Sequence, residues 1–225
     1  MERYVIIPAG GIGQRMASAE GRPKQMMNLG GKPILRRTME LMYRLEPQVK
    51  IIVSMLPSLK EEWKKYCFEA DFLQPHILAD GGMTRFHSVK NALSYVSKGS
   101  LVAVHDAVRP FVTEDFVNGL FEAAQEHGAV VPSLPLVDSI RELKADGGSK
   151  AADRSRFVFV QTPQVFLSDI LISAYEVPYQ AFFTDDASVV EASGHPVTLV
   201  PGLKDNFKIT TPEDLSRAAE MLEKL

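Results

Sequence analysis

The chain has 225 residues, 45% of them hydrophobic and 24% charged, which suits a globular protein with one sizeable core and excludes a disordered tail or a fibre. Lys and Arg total 25 against 28 for Asp and Glu, and a formal net charge of -3 excludes a surface that coats polyanions by bulk electrostatics, so no nucleic-acid partner is expected. The single cysteine, Cys67, excludes an intrachain disulfide, all but excludes a thiolate metal cluster, and fits a reducing compartment.

Met1-Glu2-Arg3 leads through an apolar run, Tyr4 to Ile7, into Pro8 and glycines, with no targeting pattern. Runs such as Leu101–Val104 and Phe157–Val160 fall far short of the roughly 18 residues of a membrane span. A cytoplasmic protein without a membrane partner is expected. Short β-branched runs alternate with helical periods: Tyr4–Ile7 then Pro33–Leu45, Val49–Met55 then Leu59–Ala70, His76–Ala79 then Thr84–Val96, Leu101–Val104 then Thr113–His127, and then Ala129–Val131. This order predicts an α/β fold, a mainly parallel sheet with helices on both faces, over one domain spanning 1–225. After Thr113, the residues Phe116, Val117, Leu120, Phe121 and Ala124 share one helical face. The last helix carries its own start signal, with Thr211 as N-cap, Pro212 in the first turn and Asp214 completing a capping box.

Two regions interrupt the alternation. The connection from Pro8 to Lys32 is far longer than the roughly 2–6 residues usual between a strand and a helix, and its glycines and cations mark it as functional. Between about Val137 and Val160, the strand-like pieces Ser139–Leu143 and Arg156–Val160 flank a polar stretch with Gly147 and Gly148, which predicts a hairpin arm leaving the main sheet.

The first connection begins Pro8-Ala9-Gly10-Gly11-Ile12-Gly13-Gln14-Arg15-Met16 and continues to Pro23-Lys24-Gln25. Glycines after a first strand let backbone N–H groups approach phosphate oxygens, and Arg15 and Lys24 add full charges. The spacing is not that of a Walker loop, and Met16 stands where a dinucleotide fingerprint needs its third glycine. A plain turn with two solvated cations is the competing reading; position after the first strand favours phosphate binding. His105-Asp106-Ala107-Val108-Arg109-Pro110 follows another strand, so Asp106 and Arg109 should enter the same crevice, at the carboxyl ends of the strands. There Asp106 suits a metal, a ribose or a substrate hydroxyl, and Arg109 a phosphate; a local salt bridge or cap is the plainer alternative. His105 reads as a satisfied structural residue rather than a base. Gly81-Gly82-Met83-Thr84-Arg85-Phe86-His87-Ser88 again joins strand to helix, with Ser88 as a hydroxyl for base or ribose and Thr84 as an N-cap. Later cations are Arg154 and Lys208, and Thr184 reads first as a helix cap. The five histidines include no pair at the i, i+4 spacing of a zinc site.

In joint order these segments resemble the 2-C-methyl-D-erythritol 4-phosphate cytidylyltransferases of the non-mevalonate isoprenoid route. The likeness covers nearly the whole chain: the Ala9-to-Met16 loop, Pro23-Lys24-Gln25, Gly81-Gly82 with Arg85 and Ser88-Val89, His105-Asp106-Ala107 with Arg109-Pro110, Asp153-Arg154, Thr162-Pro163-Gln164, Thr184-Asp185, and Asn206 with Lys208. Gly10 stands where a second alanine is common, and Met83 where a polar or acidic residue is. The resemblance implies a Rossmann-like nucleotidyltransferase fold, a homodimer built through the β-arm, Mg²⁺ as cofactor, and CTP and a sugar-alcohol phosphate as substrates. It further implies that Arg15, Lys24, Lys208 and Arg154, the last from the partner subunit, are catalytic. Ala9, Gly10, Gly11, Gly13, Gly82, Arg85, Ser88 and Ala107 would bind nucleotide, and Asp106, Arg109 and Thr184 the acceptor, with Asp106 also the nominated metal ligand. A ribitol 5-phosphate cytidylyltransferase shares the CTP half of such a site, and a non-catalytic nucleotide-binding module is the alternative from another class.

Overall fold

The computed structural model describes residues 1–10 and 23–224. Strand β1 (Arg3–Pro8) buries Tyr4 through Ile7 completely or nearly so, as expected of a parallel strand covered on both faces. It lies between β4 (Lys50–Met55) and β6 (Leu101–Val104), parallel to both, and β5 (Ile77–Asp80) extends the parallel set beyond β4. On the other side β11 (Gln164–Leu167) runs antiparallel between β6 and β7 (Ala129–Pro135), while β10 (Val158–Val160) pairs antiparallel and β12 (Thr198–Pro201) parallel with β7. The result is an eight-stranded mixed, mostly parallel sheet in an α/β fold.

Period-two alternation along β1 sends its side chains into two separate cores. Val5 and Ile7 meet Leu35 and Met39 of α1 (Ile34–Met42), Trp63 of α2 (Pro57–Glu69) and Phe121 of α4 (Glu114–His127). Tyr4 and Ile6 meet Val89 of α3 (Arg85–Leu93), Leu171 of α5 (Ser168–Ala174) and Val190 of α6 (Asp186–Ala192). Each such aliphatic side chain contributes roughly 1.5–3 kcal/mol on burial, so both faces hold the central strands in place. A third cluster joins Val108 and Phe111 to Ile209 and to Ala218 of α7 (Pro212–Leu222), packing the last helix over the turn that follows β6. Two predicted caps form, Thr84 accepting from the His87 N–H and Thr211 with Asp214 in a reciprocal capping box behind Pro212, and Thr113 also caps its helix, accepting from the Phe116 N–H. Among the described residues, no helix is long and apolar enough to cross a membrane.

Three expectations change. The long connection after β1 is partly regular, with a 3-10 turn at Lys24–Met26 and a short antiparallel ladder of β2 (Asn28–Leu29) with β3 (Lys32–Pro33). The hairpin exists, but β8 (Ile140–Leu143) pairs with β9 (Ser149–Ala152), not with the Arg156–Val160 piece. Gly147, at φ +82°, allows a tight turn closed by Lys144 N–H to Gly148 O (2.9 Å), so the chain doubles back at once. Val158–Val160 is thereby released to extend the main sheet beside β7. Finally, Asp185 rather than Thr184 caps α6, in a capping box with Ser188: its carboxylate accepts the Ser188 N–H (3.0 Å), while Thr184 is exposed ahead of the helix.

Candidate active site

A cleft of about 240 Å³ opens beyond the carboxyl ends of β1, β5 and β6, where the sequence placed it. Pro8, Ala9 and Gly10 form one wall, Lys24 and Gln25 a second, and Gly82 to Arg85 with Ser88 a third; Asp106, Ala107, Val108 and Lys208 complete the lining. A larger groove of about 740 Å³ lies between α1, the Pro110–Asp115 segment and the end of α7. It is lined by none of the candidate residues, and the smaller cleft is where the chemistry converges.

Backbone contacts fix these walls. The Ala9 N–H donates to Ser54 O (2.7 Å), and the buried Gln25 amide donates to Ala9 O (2.5 Å), tying the Lys24 turn to the end of β1. In the third wall Ser88 is engaged on both sides of its hydroxyl: it accepts from the Gly82 N–H (3.0 Å) and donates to Thr84 O (3.0 Å). A Cβ at Gly82 would run into His87, whereas one at Gly10 would meet Ser88 Oγ at an ordinary 3.5 Å. Gly10→Ala, which installs the residue common at this position, is therefore expected to raise the melting temperature slightly through about 0.4–1 kcal/mol of lost unfolded-state freedom, with turnover retained. Gly82→Ala should distort the loop and raise the KM for nucleotide. Melting curves and steady-state kinetics of the two variants check the contrast.

The floor of the cleft is an ion cluster. Asp106 receives Lys208 Nζ at 3.0 Å, Arg109 Nε at 3.2 Å and Arg85 Nε at 3.9 Å. Burial alone would raise its pKa, but Lys208, Arg85 and Arg109 together hold the carboxylate well below its ordinary range. Arg85 is also held by Asp186, whose carboxylate is fully buried, through a 2.5 Å ion pair. Burial would lower the Arg85 pKa, yet Asp186 first and then Asp106 raise it, so the guanidinium stays charged. Asp186 in turn accepts from Tyr175 OH (2.6 Å), and Gln164 Oε1 accepts the N–H groups of Asp186 and Ala187 at 3.1 and 2.9 Å. With Lys24, four cations and two carboxylates surround the cleft and its floor, leaving an excess of positive charge suited to phosphates.

His105 lies beneath this floor, fully buried, its Nε2 2.9 Å from Arg109 O and its Nδ1 3.1 Å from Thr162 Oγ1. Burial pushes its pKa down to about 4, against the opposing hydrogen bond to Arg109 and the charge of Asp106 and alongside the repulsion of Arg109. The sign follows from linkage: at pH above about 6.5 the ring is neutral folded and unfolded, and as pH falls toward 4 only the unfolded chain gains the proton. Stability attributable to this ring is therefore full above about 6.5 and declines by of order 3 kcal/mol on the way to pH 4. Urea unfolding of the protein and of His105→Gln at pH 7 and 4.5 checks this; an equal loss in both would contradict it.

The structure thus gathers Ala9, Gly10, Lys24, Gly82, Arg85, Ser88, Asp106, Ala107 and Lys208 into one cleft, with Arg109 attached to its floor. Gly11, Gly13 and Arg15 lie outside the described residues. Thr184 is exposed and not part of the lining; Arg154 sits at the base of the hairpin, exposed, donating to Val137 O. Asp106 does not fit the metal-ligand nomination, because both its oxygens face cations, and no cluster of three His, Cys, Asp or Glu suited to a metal occurs among the described residues. The sequence reading missed Asp186. Its signal was the Asp185-Asp186 pair at a helix start, where capping requires only one of the two.

A family model for the 2-C-methyl-D-erythritol 4-phosphate cytidylyltransferases (IspD) matches residues 4–224. Proteins of that name from Phocaeicola vulgatus and Bacteroides thetaiotaomicron are 48% and 46% identical over 222 residues, covering 99% of this chain and 100% of each relative. Among solved structures, the 2-C-methyl-D-erythritol 4-phosphate cytidylyltransferase of Thermus thermophilus is 32% identical with a TM-score of 0.77, covering 99% of this chain and 100% of that one. The 4-diphosphocytidyl-2C-methyl-D-erythritolsynthase of Anaerococcus prevotii is 26% identical with a TM-score of 0.82, covering 99% and 98%.

Proposed function

The chain belongs to the 2-C-methyl-D-erythritol 4-phosphate cytidylyltransferase family, and from that premise we propose how its cleft carries out the reaction. It is a nucleotidyltransferase that moves the cytidylyl group of CTP onto 2-C-methyl-D-erythritol 4-phosphate, giving 4-diphosphocytidyl-2-C-methyl-D-erythritol and pyrophosphate. An oxygen of the acceptor phosphate attacks the α-phosphorus of CTP in line; the bond from that phosphorus to the β-phosphate oxygen breaks, and pyrophosphate leaves with the electron pair. The attacking group is already an anion at neutral pH, so no side chain need take a proton. The barrier is the approach of one anion to another, which pre-placed cations lower by positioning and electrostatics.

The observation that carries this reading is the excess of positive charge converging on the cleft. Lys24 stabilises charge growing on the α-phosphate, a role also assigned to Arg15; Gly82, Arg85 and Ser88 hold the nucleotide; Arg109, Asp106 and Lys208 hold the acceptor. Thr184 and the partner subunit's copy of Arg154 close the acceptor side. A homodimer is supported by the exposed apolar side chains Val137, Leu143, Phe157, Val158, Phe159 and Val160 on and beside the hairpin. The whole of 1–225 works as one domain with its arm at about 137–160, in the cytoplasm. Mg²⁺, when bound, would neutralise charge on the triphosphate; Asp106, already committed to cations, would not hold it.

Pyrophosphate release with the four nucleotides and methylerythritol phosphate tests the assignment. CTP should exceed ATP by about 10–200-fold, the range by which a pocket shaped to one group rejects a larger one. Equal rates with CTP and ATP would refute a cytosine-specific pocket, and faster turnover with ribitol 5-phosphate would reassign the acceptor.

A further inference from the structure

We propose that His105 is a positioning residue for the acceptor half of the site, its ring locked with the proton on Nε2 so that the turn from Asp106 to Arg109 presents both side chains to the substrate. The proposal rests on the assignment of Asp106 and Arg109 to the acceptor. Its basis is the direction of five hydrogen bonds. Arg109 O is a carbonyl and only accepts, so the ring nitrogen 2.9 Å from it, Nε2, carries the hydrogen. Thr162 Oγ1 already accepts the Asp106 N–H at 3.0 Å, which leaves its hydroxyl hydrogen for the bare Nδ1 of His105 at 3.1 Å. The turn itself is closed by Arg109 N–H to Asp106 O (3.2 Å), and the His105 N–H is anchored to β1 at Ile6 O (2.9 Å). One ring therefore links both ends of the turn, to Arg109 directly and to Asp106 through Thr162.

The same tier extends to the third charge of the floor. Thr162 O accepts from Asn206 Nδ2 (2.7 Å), Asn206 O accepts from Arg109 Nη1 (2.6 Å), and two residues later Lys208 reaches Asp106. The bonds made by the ring lead to Arg109 and, through Thr162, to Asp106, both assigned to the acceptor; the onward contact from Asp106 to Arg85 in the Gly82 wall is longer, 3.9 Å. Since the proposed reaction moves no proton, a neutral imidazole serves here by its geometry.

Two measurements test the idea. The ring ¹⁵N shifts of His105 in the intact protein, between pH 6 and 8, should show a protonated Nε2 and a bare Nδ1; the opposite tautomer or an imidazolium would overturn the proposal. This readout needs no substrate, so it stands or falls separately from the reaction assignment, which the turnover of the unmodified enzyme decides. In steady-state kinetics, His105→Phe should raise the KM for methylerythritol phosphate by ~10-fold or more with the KM for CTP within about 3-fold, one lost net hydrogen bond being about a factor of ten. His105→Gln, which retains an amide donor near Nε2, should recover part of that loss. Equal rises in both KM values, or none, would overturn the proposal, and if His105→Phe fails to fold the same comparison is read on His105→Gln.

Discussion

Lys24→Ala is expected to lower kcat by about 10²–10³-fold while the fold survives, the cost usual for removing one pre-placed electrostatic contact to a transition state. The 3-10 turn that carries Lys24 has backbone and Gln25 bonds of its own: Met26 N–H donates to Pro23 O (2.9 Å), Met27 N–H to Lys24 O (3.1 Å), and the Gln25 amide to Ala9 O. The residue is half-buried at the wall of the cleft, so truncation removes charge more than packing. Lys24→Arg should recover little, because a planar fork does not reproduce a compact ammonium facing one phosphate oxygen. Single-turnover pyrophosphate release, with a melting curve for each variant, separates loss of chemistry from loss of structure. Turnover within tenfold of the parent in a folded Lys24→Ala protein would move the charge stabilisation elsewhere in the site.

The parts of this site that were legible in the sequence are those whose cause is local. Thr84 and Thr211 cap helices because a hydroxyl at that offset meets an orphan N–H, and three residues of context suffice to see it. The crevice could be placed because strand ends followed by Gly81-Gly82 and by His105-Asp106 fall at the same edge of a parallel sheet. What escaped depends on choices made at long range. The Arg156–Val160 piece has the same apolar, β-branched character whether it pairs with β8 or β7; the turn at Gly147 decides, by giving β8 a nearer partner in Ser149–Ala152. β11 inserts antiparallel between β6 and β7, which no alternation of strand and helix announces. Asp186 was hidden for the same reason: its partners Arg85 and Tyr175 come from α3 and the end of α5, 101 and 11 residues away.

That hidden carboxylate should have the largest effect on stability. Asp186→Asn removes a fully buried charge facing Arg85 Nη2 at 2.5 Å; breaking a buried pair by removing one partner costs about 3–5 kcal/mol, and with 27% of the Arg85 side chain open to the cleft the lower end applies. For a chain of this length the melting temperature should fall by roughly 10 °C, at about 2–4 °C per kcal/mol. Much of the cost belongs to the guanidinium left behind, so Arg85→Met combined with Asp186→Asn should melt higher than Asp186→Asn alone, although it loses the cation at the cleft. Function should separate the two variants in another way. In Asp186→Asn, the carboxylate contact left to Arg85 among the described residues is the longer one to Asp106 at 3.9 Å, and the KM for CTP should rise as the guanidinium loses its fixed direction. If Asp186 acts on catalysis only through Arg85, the kcat/KM of the double variant should match that of Arg85→Met alone. Additive losses would assign Asp186 a second route to the site, through Tyr175 or through the Gln164 contacts at the start of α6.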